Sequence, residues 1–184
     1  MAIKLVVGGF TLNIISAYAL HAGLGVEDKV RFWEDLDELV RGIPDTEKLF
    51  IGGDFDGHIG SNLGRYDNVH GGFGFGNRNK AGVSLLDFAS AFGLVIANSS
   101  FLKEEYLVTF RNAVARTRID YLLLRKDDKG VCKDCEVISS ESFTTQHKLL
   151  VMDLETKRKK RVADRPRIKW GNLTMASATR WGRS

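Results

Sequence analysis

The chemistry most readily read from this sequence sits in three stretches: Asp54 and Asp56 in "GGDFDGHIG", Asp120 in "TRIDYLLL" and His147 in "TTQHKLLVMDLE". Carboxylates and an imidazole brought together can move protons and bind a hard cation. Asp54 directly follows the apolar run "KLFIGG", and loops after buried strands commonly carry catalytic groups in α/β proteins. Asp54 and Asp56 need not face one way, and an Asp-Gly-rich segment also suits a plain turn. Period two puts Asp120 on the face of Leu122 and Leu124. A buried carboxylate there needs a cation or histidine as partner, whereas an edge strand would leave it in water. Among His21, His58, His70 and His147, the last heads an apolar strand and is the one placed to meet Asp120, which would fix its tautomer and raise its basicity. The bland reading of His147 is a satisfied polar residue at a strand start.

These residues need a scaffold, and the hydrophobic pattern supplies one. "IKLVV" and "TLNIISAYA" read as strands of a hairpin turned by "GGF". From Val26 to Ile43, Phe32, Trp33, Leu36, Leu39, Val40 and Ile43 recur at helical spacing, with Glu27 and Asp28 in the first turn and Gly42 and Pro44 at the end. "KLFIGG" reads as a central strand. The glycine-rich segment between Gly52 and Gly76 is longer than an ordinary connection and is read as a functional loop. Leu85, Leu86, Ala89 and Phe92 form a second helical stripe stopped by Gly93. "LVIAN", "LVTFRN", "TRIDYLLL" and "LLVMDLE" are further strands. Strand pairs alternating with two long helices predict an α/β fold with a mixed sheet.

Composition bounds the class. The 184 residues suit one domain, and 43% hydrophobic with 27% charged residues is ordinary for a globular chain. No apolar stretch approaches the roughly 20 residues of a membrane span. The N-terminus does not read as a signal peptide, which argues for an intracellular chain with reduced cysteines. The net charge of +4 is unevenly divided: residues 1–155 hold 17 Lys+Arg against 22 Asp+Glu, and residues 156–184 hold 10 against 1. That basic tail, without apolar period, reads as disordered. It suits phosphate contact, a solvated linker or a nuclear localisation signal. Cys132 and Cys135 in "VCKDC" have the spacing of half a zinc site, with nothing nearby to complete four ligands.

"GGDFDGHIG", "GFGNRNKAGVSLLDFASAFGLVIANSSF", "TFRNAVARTRIDYLLLRK" and "TTQHKLLVMDLE" together resemble, in order, the endonuclease domain of LINE-type retrotransposons and craniofacial development protein 2-like proteins. These belong to the DNase I-like endonuclease/exonuclease/phosphatase superfamily. The resemblance runs from about Ile3 to Glu155. It implies a partial DNase I-like β-sandwich flanked by helices and lacking its N-terminal half, with residues 1–155 as the C-terminal part of the domain. Residues 156–184 resemble a connector toward a reverse-transcriptase region.

The resemblance also implies roles. Asp54 matches the aspartate that orients or activates the attacking water beside a divalent metal, Mg²⁺ or Mn²⁺. Asp120 matches the aspartate that orients the catalytic histidine, and His147 matches that histidine. Tyr18 and Asp56 match phosphate-contacting positions, though Asp56 stands where the family usually has a hydrogen-bond-donating asparagine, and Leu20 where a proline often follows the tyrosine. Gln146 replaces the acid that usually precedes the histidine and implies a weaker metal ligand. "VCKDC" falls in what the resemblance implies is a connection between strands. The implied activity is metal-dependent phosphodiester hydrolysis on DNA, weak or absent in this chain because the family's upstream metal-binding glutamate is missing. The alternatives are a catalytically dead nucleic-acid-binding or interaction module and a truncated product without a stable fold.

Overall fold

A computed structural model describes residues 1–19, 25–74, 76–101, 108–111, 116–138 and 146–155. Strands β1 (Ala2–Val7) and β2 (Phe10–Tyr18) form the expected hairpin. Gly8 and Gly9 turn it with φ of 61° and 89°, the positive values a two-residue hairpin turn requires. Helix α1 (Val26–Arg41) buries Leu36 and Val40. It ends two residues before Ile43, and Gly42 caps it at φ −70°, so this glycine is not used for a left-handed turn. Strand β3 (Lys48–Asp54) follows, then the glycine-rich loop and helix α2 (Lys80–Ala91). Gly93 leaves α2 at φ 60°, a conformation favouring glycine, as the sequence pattern anticipates. The remaining strands are β4 (Leu94–Ile96), β5 (Phe110–Arg111), β6 (Arg116–Thr117), β7 (Asp120–Arg125), β8 (Cys132–Ile138) and β9 (Leu149–Leu154).

The central sheet has the order β1-β2-β3-β7-β4, with β2 and β3 parallel and every other pair antiparallel. Strand parity sorts its two faces. Ile15, Leu49, Ile51, Leu123 and Ile96 pack with Leu36 and Val40 of α1 and Leu85 and Leu86 of α2. Leu12, Phe50, Val95, Leu122 and Leu124 point the other way and pack with Cys135 of β8 and Met152 of β9. Helices therefore cover one face, and the two-stranded β8–β9 sheet lies on the other. This is the expected α/β sandwich arrangement. Strand β1 is exposed along its whole length, including Ile3, Leu5, Val6 and Val7.

Two segments differ from the sequence reading. "TRIDYLLL" is not one strand: β6 ends at Thr117 and β7 begins at Asp120. Between them the Arg118 side chain turns inward, 3% exposed, donating to the carbonyls of Asn98 and Phe73 and lying over the Tyr121 ring. "VCKDC" is not a connection but holds the first residues of β8, which pairs with β9. An irregular register between Cys132 and Asp134 hides its alternation from a period-two reading. Leu107 and Asn112 of the expected strand "LVTFRN", and the whole basic tail 156–184, lie outside the described residues.

Candidate active site

The carboxylates meet because of strand register. Tyr18 is the ladder partner of Asp54, and Asp54 is the ladder partner of Asp120. One row across β2, β3 and β7 thus carries Tyr18, Asp54 and Asp120 at one end of the sheet, on the face that β8 and β9 cover. The row can form because β2 and β3 approach closely there: a Cβ on Gly53 (φ 158°) would stand 1.8 Å from the Ala17 carbonyl oxygen. Only glycine fits that position, which accounts for the glycine before Asp54.

His147 arrives from the other sheet. It lies just before β9 and forms an antiparallel bridge with Phe110, whose ring meets the imidazole edge-on at 5.0 Å between centroids. Its Nδ1 lies 3.2 and 3.3 Å from the two Asp120 carboxylate oxygens. Its Nε2 faces Asp54 Oδ2 at 3.9 Å. Donation from Nδ1–H to Asp120 fixes the tautomer that leaves the Nε2 lone pair directed at the Asp54 side of the cluster. Asp54, Asp120 and His147 offer ligand atoms that all lie within 4.8 Å of one another.

Asp54 is the most constrained of the three. It is 6% exposed; Oδ1 accepts the Asp56 backbone N–H at 2.9 Å, and Oδ2 is buried without a hydrogen-bond partner. Burial pushes its carboxyl above the ordinary carboxylate range. The Asp56 N–H opposes that, the Asp120 charge adds to it, and His147 works against it. A buried, unpartnered carboxylate oxygen is costly unless something binds it. Two carboxylates facing a common space, one with an orphan oxygen, fit a hard divalent cation, which prefers oxygen ligands.

Two residues not singled out in the sequence, Thr109 and Asn98, hold this geometry. The buried Thr109 hydroxyl accepts the backbone N–H groups of Ile119 and Asp120, each at 3.2 Å. The Thr109 carbonyl accepts the Lys148 N–H at 2.7 Å, so one residue ties the Asp120 strand to the His147 segment. Asn98 bridges Asp120 and Leu122, donating to the carbonyl of the first and accepting the N–H of the second. Their sequence signal is faint, since Thr and Asn are ordinary near strand ends.

The other expected residues take different places. Asp56 has φ 46°, a left-handed conformation that Asp and Asn tolerate better than most side chains. An Asp can therefore keep the turn that an Asn would make there, and the contact recorded between it and Asp54 is through its backbone N–H. Tyr18 is 56% exposed at the end of the row. Gln146 is exposed, and its carbonyl accepts the Arg111 N–H at 2.9 Å. His58 donates its backbone N–H to Asn79 Oδ1, which also caps α2 through the Gly82 N–H. His70 is 1% exposed; its Nε2–H donates to the Gly60 carbonyl and Nδ1 accepts the Gly72 N–H, and burial pushes its pKa down. Both histidines shape the loop. A cleft of about 720 Å³ between α1 and β1, lined by Asn13, Glu38 and Leu39 among others, includes none of the cluster residues.

No family model matches the chain. Over 153 residues it is 31% identical to craniofacial development protein 2 of Tragulus javanicus, covering 82% of this chain and 26% of that protein. The chain therefore spans about a quarter of the length of the curated relatives it matches. Among solved structures it resembles the endonuclease domain of TRAS1, a telomere-specific non-LTR retrotransposon, with a TM-score of 0.58 at 12% identity, covering 85% of this chain and 63% of that one. It resembles the 3′ phosphatase NExo from Neisseria bound to product DNA hairpin with a TM-score of 0.60 at 13% identity, covering 84% of this chain and 65% of that one.

Proposed function

From a chain with the DNase I-like endonuclease/exonuclease/phosphatase fold, we propose a divalent-cation-assisted phosphodiester hydrolase acting on DNA, with Asp54, Asp120 and His147 as its centre. The observation that carries this reading is the buried, unpartnered Oδ2 of Asp54 facing His147 Nε2 at 3.9 Å. The DNA-bound phosphatase and the retrotransposon endonuclease among the structural neighbours support nucleic acid as substrate.

Asp54 and Asp120 would hold the cation, with the exposed Gln146 amide oxygen one residue from His147 as a weaker ligand. Bound there, Mg²⁺ or Mn²⁺ would offset charge on the phosphoryl group. Asp54, held beside the cation, would orient the attacking water and take its proton. Asp120 would hold the His147 ring so that Nε2 meets the phosphate. Tyr18, exposed beside Asp54, would contact the phosphate through its hydroxyl, and Asp56 would line the same end.

A second reading, a nucleic-acid-binding module without catalysis, draws on Gln146, a neutral residue where the resemblance implies an acid. Relaxation of supercoiled plasmid DNA in Mg²⁺ separates the two. The hydrolase reading expects nicking by the wild type that EDTA, Asp54→Ala and His147→Ala each abolish. Equal background from all three proteins, with DNA retained on the wild type in a mobility-shift assay, would favour the second.

A further inference from the structure

We infer that Cys132 and Cys135 form a redox-active dithiol site, separate from the acidic cluster, that closes to an intramolecular disulfide in the folded chain when it meets a small disulfide oxidant.

A bulge in β8 brings the two cysteines together. In a regular strand, residues three apart point to opposite faces, so a Cys-x-x-Cys spacing would separate its thiols. Here Cys132 pairs with Leu154, Asp134 with Asp153 and Cys135 with Met152, which leaves Lys133 as the extra residue. Inserting that one residue brings both cysteines to the same face. Their sulfurs lie 3.7 Å apart, and both side chains enter the cluster between the two sheets, beside Leu122 and Met152. Bond formation requires the sulfurs to close from 3.7 Å to about 2.05 Å.

The two thiols are unequal, which gives the reaction an order. Cys135 is 5% exposed, whereas Cys132 is half-buried and lines a cavity of about 230 Å³ with Lys129, Phe101 and Ser100. The hydrogen bond with Cys135 holds the Cys132 thiol below its ordinary range, against burial and the Asp134 and Asp153 charges. Cys132 is therefore the sulfur that an oxidant meets first. Metal binding explains the pair less well, because no third His, Cys, Asp or Glu among the described residues joins the thiols in a ligand group.

With oxidised glutathione as the co-reactant, the steps balance. The Cys132 thiolate attacks one glutathione sulfur, forming a mixed disulfide and releasing one glutathione thiolate. Cys135 then gives up its proton and attacks the Cys132 sulfur, which forms the Cys132–Cys135 bond and expels the second glutathione. Two thiols of the protein are oxidised and one disulfide of the oxidant is reduced.

The test treats the folded 184-residue chain with oxidised glutathione, quenches it with N-ethylmaleimide in denaturant and reads intact mass and peptide maps. Wild type should lose two hydrogens, take up no maleimide and stay monomeric on a non-reducing gel. Cys135→Ser should stop at one glutathione adduct on Cys132, while Cys132→Ser should react at Cys135 at least tenfold more slowly. Stable mixed disulfides on the wild type, intermolecular dimers, two maleimide adducts after the denatured chain has reacted fully, or equal rates for the two variants would overturn the inference.

Discussion

Nδ1 of His147 lies 3.2 Å from Oδ2 of Asp120, although 27 residues separate them in sequence and His147 lies outside the central sheet, just before β9. The contact joins the two layers of the fold at the end where Asp54 also emerges. A carboxylate that accepts from Nδ1–H sets which imidazole nitrogen faces the reacting groups. Asp120→Asn keeps the shape but offers the ring an amide that can present its NH₂ instead of an acceptor. Its plasmid-nicking rate should fall roughly 100-fold with little change in thermal unfolding. A rate within twofold of wild type would remove the orienting role.

The approach of β2 to β3 at Gly53 is the second requirement. A methyl at Gly53 would overlap the Ala17 carbonyl, which neither strand can vacate without breaking the parallel ladder. Gly53→Ala should destabilise the chain by more than about 3 kcal/mol, at the large end for single substitutions. Gly130→Ala, where an added Cβ meets nothing within 4 Å, should stay within about 0.5 kcal/mol. Urea unfolding of the two variants measures the contrast.

The strand, helix and turn framework is largely legible in the sequence because it rests on local pattern. The hairpin glycines, the α1 stripe and the Gly93 stop each follow from a few neighbouring residues. The strand parity of Asp120 and the need to pair a buried acid point toward His147. What local pattern cannot reveal is register. That Tyr18, Asp54 and Asp120 share one row depends on how three strands distant in sequence align. For the same reason Thr109 and Asn98 escape notice, since their partners lie 10 to 39 residues away. Strand β8 escapes it because the extra Lys133 breaks the alternation that would mark it.

Burial of Asp54 leads to a pH prediction for the metal-free protein. Its folded pKa is raised above the ordinary 3.8, so the protonated form is the one the fold favours. The associated stability is fully present below the unfolded value and is lost as pH rises through the raised folded value. At pH 7 in EDTA burial of Asp54 therefore costs the fold stability, and Asp54→Asn relieves it. The variant should melt about 2 to 4 °C above wild type at pH 7, the shift expected for about 1 kcal/mol in a chain of this size. The difference should vanish as pH falls below 3.8. Calorimetric scans across that range check the sign.

The same substitution tests the centre of the proposed site. Asp54 Oδ2 is the buried oxygen without a hydrogen-bond partner, and a bound divalent cation would satisfy it. Isothermal titration of Mn²⁺ into the wild type and Asp54→Asn measures this directly. Saturable binding by the wild type, weakened at least tenfold in the variant, is the predicted result. Equal affinity in both proteins, or no saturable binding by the wild type, would contradict it.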